Sequence, residues 1–252
     1  MGWYRAPGLG FLTFVGAAEE LEAELHRNWR TPALTAPAHG PSAPNGVRAT
    51  RDHKHGIVCI EGQTAKPLRM GALTTTLSAL ANDLSSSMII VFDASVADDF
   101  SSDINFCSLR LSARKLDAQK SKLIDLGYAL DELRCMGSPL IATTAGTMSE
   151  SSLAACLNAD YRIAEELATL RYSVHTHKML CTSVGRSSAK SLSGMPGAIT
   201  AAQGAVLGLF NEVVRGEEHL HARAVYIATF LSNMPAIALR QNLLLMRRVE
   251  LA

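Results

Sequence analysis

Residues 139–164, PLIATTAGTMSESSLAACLNADYRIA, constrain the fold more than any other stretch, because they read as strand, tight turn, helix and strand in one compact run. Leu140, Ile141 and Ala142 form a short buried-strand signal that ends at Gly146. Ser149, Glu150, Ser151 and Ser152 follow, small polar and acidic residues that suit a helix N-terminus, where backbone N–H groups have no partner inside the helix. Leu153, Ala154, Ala155, Cys156 and Leu157 continue as an apolar, small-residue helix, and Tyr161, Arg162, Ile163 and Ala164 resume an extended run. A buried helix N-terminus at the end of a strand favours negative charge, since its free N–H groups and the helix dipole both point at the same place.

The flanking chain repeats this alternation. Gly56 to Ile60 reads as a strand, Leu73, Leu77, Leu80 and Leu84 share one helical face, and residues 88–92 are a continuous apolar strand. Strand, helix, strand is the unit that builds parallel sheets with helices outside. Residues 109–136 are helical by periodicity, with Leu116, Leu123, Leu126, Leu130 and Leu133 as an intermittent apolar stripe. Arg110, Arg114, Lys115, Lys120 and Lys122 make the first half of that helix basic, the pattern of a solvated face. Two terminal helices, residues 217–231 and 236–248, are separated by Asn233, Met234 and Pro235, a helix stop. With 48% hydrophobic residues in 252, the chain has enough apolar material for one large α/β domain.

Pro139, Ile141, Ala142 and Gly146, followed by Asp160, Tyr161, Arg162, Ile163 and Ala164, form a frame that resembles the crotonase family, the enoyl-CoA hydratases and isomerases. The spacing from Gly146 to Asp160 is the family's, but Glu150, Ser151 and Ser152 stand where the family usually has three glycines. Residues 99–106, DFSSDINF, resemble the family's first active-site loop through Phe100, Ser101 and Asn105, with Asp103 in place of its glycine. Residues 164–170 and 201–214 continue the likeness, with Ala205, Gly208 and Leu209 in place, so it spans about four-fifths of the chain. The resemblance implies a crotonase-like α/β fold, a (ββα) spiral core over about residues 47–215 with a C-terminal helical region over about 216–252. Residues 1–46 are then an N-terminal extension ending in a Pro/Ala-rich linker, and 47–252 the crotonase-like domain. Within the extension, residues 19–29 have the acidic start and basic end of a short helix.

The chemistry implied by the resemblance is stabilisation of a thioester enolate by two backbone N–H donors, one from each loop. Carried over residue by residue, those donors are Ile104 and Ser151, and preorganised donors of this kind contribute roughly 2.7–4 kcal/mol each. Ser151 adds a Cβ at a place where close backbone approach or a positive φ is a concern; alternatively, residues 150–152 are an ordinary helix cap and bind nothing. The two glutamates with which hydratases of the family position and deprotonate water fall at Ala154 and Val174, neither of which transfers a proton. Isomerases and polyketide-pathway decarboxylases of the family place acid or base groups elsewhere. Glu150, His175 and His177 are the three substitutes, each with a structural reading beside the catalytic one, and a carboxylate at Glu150 would also repel an enolate. His175 and His177 suggest a metal only weakly, since no third ligand can be named and none is assigned. Lys66 and Arg69 flank the proline loop where relatives meet coenzyme A; as an alternative they are solvated loop charges.

Net charge is +1, which argues against a general nucleic-acid or anionic-membrane partner, and no apolar run has the length to span a bilayer. Neither a Walker sequence nor GxGxxG is present. The five cysteines, Cys59, Cys107, Cys135, Cys156 and Cys181, include no CxxC pair and read as reduced thiols. The apolar stretch at residues 8–17 lacks the basic start of a signal peptide, so a cytoplasmic protein is expected. The expected partner is an acyl-CoA or acyl-carrier-protein thioester, with coenzyme A or pantetheine entering as part of the substrate and no separate cofactor. Two function classes stand: a thioester enzyme of the hydratase/isomerase family with nonstandard acid/base residues, and a crotonase-fold pseudoenzyme serving as a binding or scaffold subunit. The resemblance further implies a homotrimer or dimer of trimers, with Leu220, Val225, Ile227, Phe230, Leu239, Leu243 and Leu244 as apolar surface on the terminal helices.

Overall fold

The computed structural model describes residues 2–4, 13–15, 47–62, 68–83, 88–97, 113–170, 177–193 and 198–250. The chain divides into two units, Met1–Ala38 and His39–Ala252. In the first, β1 (Gly2–Tyr4) and β2 (Thr13–Val15) pair antiparallel. The expected helix over residues 19–29 and the linker over 31–45 lie outside the described residues.

The second unit is built on a six-stranded sheet of order β13-β10-β8-β6-β4-β3. Its members are β3 (Val47–Asp52), β4 (Ile57–Gly62), β6 (Ile89–Asp93), β8 (Leu140–Thr144), β10 (Tyr161–Glu165) and β13 (Glu212–Val214). All neighbours run parallel except β3, which turns back on β4. Both faces are apolar, as a sheet covered by helices on each side requires. One face sends Val58, Ile60, Ile90, Phe92, Leu140 and Ala142 into a main core with α1 (Met70–Asp83), α2 (Ala113–Cys135) and α3 (Glu150–Leu157). The alternate residues Ile57, Cys59, Ile89, Val91, Ile141 and Ile163 meet Leu220, Ala224 and Ala228 of α7 (Glu217–Ser232).

Between each long strand and its helix sits a strand of two residues. β5 (Leu68–Arg69) precedes α1, β7 (Val96–Ala97) follows β6, β9 (Thr147–Met148) precedes α3, and β11 (Thr169–Leu170) follows β10. β5 pairs with β7, while β9 and β11 pair with each other and with β12 (Ile199–Thr200). The repeat is therefore strand, short strand, helix, wound around one core. This corrects the simpler strand–turn–helix reading of residues 139–157, which had no β9. Helices α4 (His177–Val184), α5 (Arg186–Ser193) and α6 (Ala201–Val206) lead to β13, and α8 (Ala236–Glu250) closes the described chain.

α7 and α8 meet at 109°. Arg247 of α8 is buried and forks onto Asp160, Nη2 to Oδ2 at 2.6 Å and Nε to Oδ1 at 3.3 Å. The same guanidinium donates to the carbonyls of Ser138 (3.1 Å) and Arg134, at and just past the C-terminus of α2. Asp160 in turn accepts the Leu140 N–H at 2.8 Å, so one ion pair ties α8 to the N-terminal edge of β8. Gly137 permits this approach: its φ is +76°, and a Cβ there would collide with the Arg240 side chain. Within the chain α8 thus lies at the opposite end of the strands from the turn before α3. A second correction concerns the apolar residues of the terminal helices. Leu220 is buried, and Val225 and Ile227 pack against the same sheet face, because α7 covers that face within the one chain. The residues left outside are Phe230, Met234, Ile237, Leu245 and Met246. Among the described residues no single helix is long and apolar enough to cross a membrane.

Candidate functional site

The C-terminal ends of β6 and β8 are locked together. The Ala94 N–H donates to the Thr143 carbonyl at 2.7 Å, and the Ser95 hydroxyl accepts the Ala145 N–H at 2.9 Å while donating to the Ala145 carbonyl at 3.3 Å. Gly146 then takes φ +64°, a left-handed turn that glycine adopts without steric cost, and its carbonyl accepts the Thr169 N–H at 2.9 Å. After β9, Ser149 caps α3: its backbone is extended (φ −76°, ψ 175°), its Oγ accepts the Ser152 N–H at 3.1 Å, and its carbonyl accepts the Leu153 N–H at 2.9 Å. Glu150 and Ser151 are thus the first two residues of the helix, whose amides by helix geometry point out of it toward the strand end. Glu150 sits in the first turn with the sign that complements the helix dipole.

Ser151 is wholly buried, at 0% exposure, and takes the helical backbone of α3, so no left-handed conformation is demanded where the family has glycine. Ala154, one turn further on, is 7% exposed. Arg69 lies exposed at the end of β5, immediately before α1. Ile104, Lys66, Val174 and His175 lie outside the described residues. The structure thus brings Glu150, Ser151 and Ala154 onto one short helix at the C-terminal end of β8. His177 opens α4, a helix that packs on α3, and its Nε2 lies 3.4 Å from Cys181 Sγ.

The other face of the same sheet end carries a group of titratable residues that no local sequence pattern singles out. Strand alternation sends Glu61 and Asp93 to the α7 side, where Glu217 begins the helix and His221 Nδ1 meets Glu61 Oε1 at 2.5 Å. Burial holds the Asp93 carboxyl above its ordinary range, against the opposing pull of its bond from the Ser95 N–H at 2.8 Å, and Glu217 and Glu61 add to the rise. The hydrogen bond to Glu61 raises the His221 imidazole. The signs differ. His221 contributes stability that is fully present below its unfolded pKa of 6.5 and is lost as pH rises through its higher folded value. Asp93 contributes a penalty that is absent below 3.8 and complete above its raised folded value. The Asp93→Asn variant is therefore expected to melt higher than the parent at pH 7 and to converge with it on acidification. A melting series from pH 3 to 8 checks this; an Asn variant less stable at pH 7 would show that the carboxylate itself is needed there.

No protein-family model matches the chain, and a search of curated proteins finds no match. Solved structures do match. An enoyl-CoA hydratase of Mycobacterium smegmatis superposes with a TM-score of 0.64 at 20% identity, covering 81% of this chain and 82% of its own. This chain has the crotonase fold. An enoyl-CoA hydratase/carnitine racemase of Magnetospirillum magneticum gives 0.63 at 16% identity, with 82% of each chain covered. ThnE of S. clavuligerus gives 0.59 at 22%, covering 81% of this chain and 91% of its own. The shared share agrees in extent with the four-fifths over which the sequence resemblance runs. In the crotonase fold of this chain, the frame residue Asp160 holds the terminal helix, a role visible only once Arg247 is seen beside it.

Proposed function

We propose that this chain is a divergent member of the enoyl-CoA hydratase/isomerase family that binds an acyl thioester, carried on coenzyme A or an acyl-carrier protein, without hydrating it. The observation that carries the reading is the Ser149-capped first turn of α3 standing at the C-terminal end of β8 in a crotonase fold. There the backbone N–H of Ser151, with that of Ile104 from the first loop, receives the thioester oxygen as it becomes an enolate. On this reading Glu150 and His175 supply the acid/base groups, and Lys66 and Arg69 the cations for the nucleotide end. Isomerase or decarboxylase chemistry of the polyketide type needs the enolate but not the two missing glutamates.

A second reading, a catalytically inactive binding or scaffold subunit, is favoured by one observation: Ser151 and Ser152 are both wholly buried, and the Ser152 N–H is already held by Ser149. A panel of acyl-CoA and acyl-pantetheine thioesters separates the two. A ligand at 100 times its Kd stabilises the folded state by about 2.7 kcal/mol, roughly 5–10 °C in a chain of this size. Such a shift supports the thioester reading, and no shift with any member of the panel selects the scaffold.

Self-association as a trimer or dimer of trimers belongs to the same reading. Phe230 is 56% and Ile237 74% exposed on the two terminal helices, and Met234, Leu245 and Met246 are exposed as well. Several large apolar side chains exposed on two successive helices are what an interaction surface would use. Sedimentation at micromolar concentration is expected to give a trimer or hexamer, and Phe230→Asp with Ile237→Asp to shift it to monomer; a parent that sediments as a monomer refutes the assembly.

A further inference from the structure

We propose that Cys181 is a nucleophile that takes the acyl group from a thioester, with His177 as its base, a step that rests on the thioester reading above. The two residues stand one turn apart on α4, with Sγ and Nε2 3.4 Å apart, so in the Nδ1–H tautomer the thiol donates directly to Nε2. Both are half-buried, screened from bulk water yet reachable, while the adjacent Leu180 anchors the helix in the main core. α4 packs on α3, the helix whose first turn is the candidate oxyanion site.

The other described cysteines lack this arrangement. Burial pushes the thiols of Cys59 and Cys156 up to about 12, which leaves them protonated and inert at neutral pH. Cys135 is exposed, and among the described residues no hydrogen-bonded imidazole accompanies it. Cys107 lies outside the described residues. A thiol in hydrogen-bond reach of a base is the signature of covalent catalysis.

The step balances without oxidant or reductant. His177 Nε2 takes the Sγ proton, the Cys181 thiolate adds to the thioester carbonyl carbon, the bond from that carbon to the carrier sulfur breaks, and the carrier leaves as a thiol with the proton returned by His177. The product is an acyl-Cys181 thioester and free carrier thiol.

The test incubates the full chain with acetyl-CoA and, separately, with S-acetyl-N-acetylcysteamine, which lacks the nucleotide, and follows acetylation by intact mass and peptide mapping. A single acetyl group on Cys181 is expected, absent in Cys181→Ser and unchanged in Cys135→Ser. His177→Gln, which preserves helix propensity, is expected to slow it by about 100-fold and to remove the imidazole limb of its pH–rate profile. Melting curves of both variants check that each is folded. Acetylation of Cys135 or Cys107 as fast as Cys181, or a His177→Gln rate equal to the parent, overturns the proposal. A thermal shift with acetyl-CoA but no acylation by either probe also overturns it and leaves the thioester reading standing. Acylation by the cysteamine thioester with no acyl-CoA shift supports the pair and removes the coenzyme A site.

Discussion

Incubated with crotonyl-CoA, the unmodified protein is expected to show no hydration above background. Water addition needs the enolate oxygen stabilised and the water deprotonated at the β-carbon within one closed site, and general acid/base groups typically contribute about 100- to 10,000-fold each. On the proposed reading the Ser151 and Ile104 amides meet the first requirement, while the side chains of Ala154 and Val174 can transfer no proton for the second. Ala154 sits one turn into α3, 7% exposed, so a glutamate placed there enters a largely dry environment that raises its carboxyl toward neutrality, the condition for a base at pH 7. The pair Ala154→Glu with Val174→Glu is therefore expected to raise turnover by at least 100-fold if the turn admits the thioester oxygen. Turnover left at background would show that residues 150–152 close the hole. Robust hydration by the parent, abolished by His175→Ala, would overturn the expectation and identify His175 as a replacement base.

The second large effect is on stability. Arg247→Ala is expected to cost about 3–5 kcal/mol, because it strands the Asp160 carboxylate and removes a donor from the Ser138 and Arg134 carbonyls. That is a large share of the 5–15 kcal/mol by which a typical domain is stable. The side chains of Arg247 and Asp160 are only 9% and 21% exposed, and the contact is forked, so the low worth of exposed ion pairs does not apply. Arg247→Met combined with Asp160→Asn is expected to cost less than the two single changes together, since neither charge is then stranded. Urea midpoints at a common m-value measure the parent and the four variants. A loss under 1 kcal/mol for Arg247→Ala would reduce the fork to an ordinary surface pair.

The long strands were legible because burial on both faces leaves continuous apolar runs, as at residues 57–60, 89–92 and 140–142. The start of α3 was legible from Ser149 and the residues after it, which carry their own capping chemistry. Strands of two residues were not: Thr147 and Met148 have no period to read, and their partners Thr169 and Leu170 lie 22 residues away. Periodicity also marks an apolar helix face without naming its neighbour, which is why Leu220, Val225 and Ile227 read as surface for another subunit when α7 lays them on its own sheet. Arg247 meets Asp160 across 87 residues, a contact that only the tertiary fold creates. The sequence reading paired His177 with His175, two residues away; on a helix the neighbour that matters is four residues on, and that is Cys181.

The clasp at Arg247 and the capped turn at Ser149 stand at opposite ends of β8, whose five residues at about 3.3 Å each separate them by roughly 16 Å. Groups that far apart with no shared partner perturb the folded state independently, so their free-energy changes add. The chain is in this sense modular for engineering: a substitution at the Ser149 cap and one at the Arg247 clasp are expected to change stability by amounts that add, so tighter packing of α8 against the far edge can offset a loss at the capped turn.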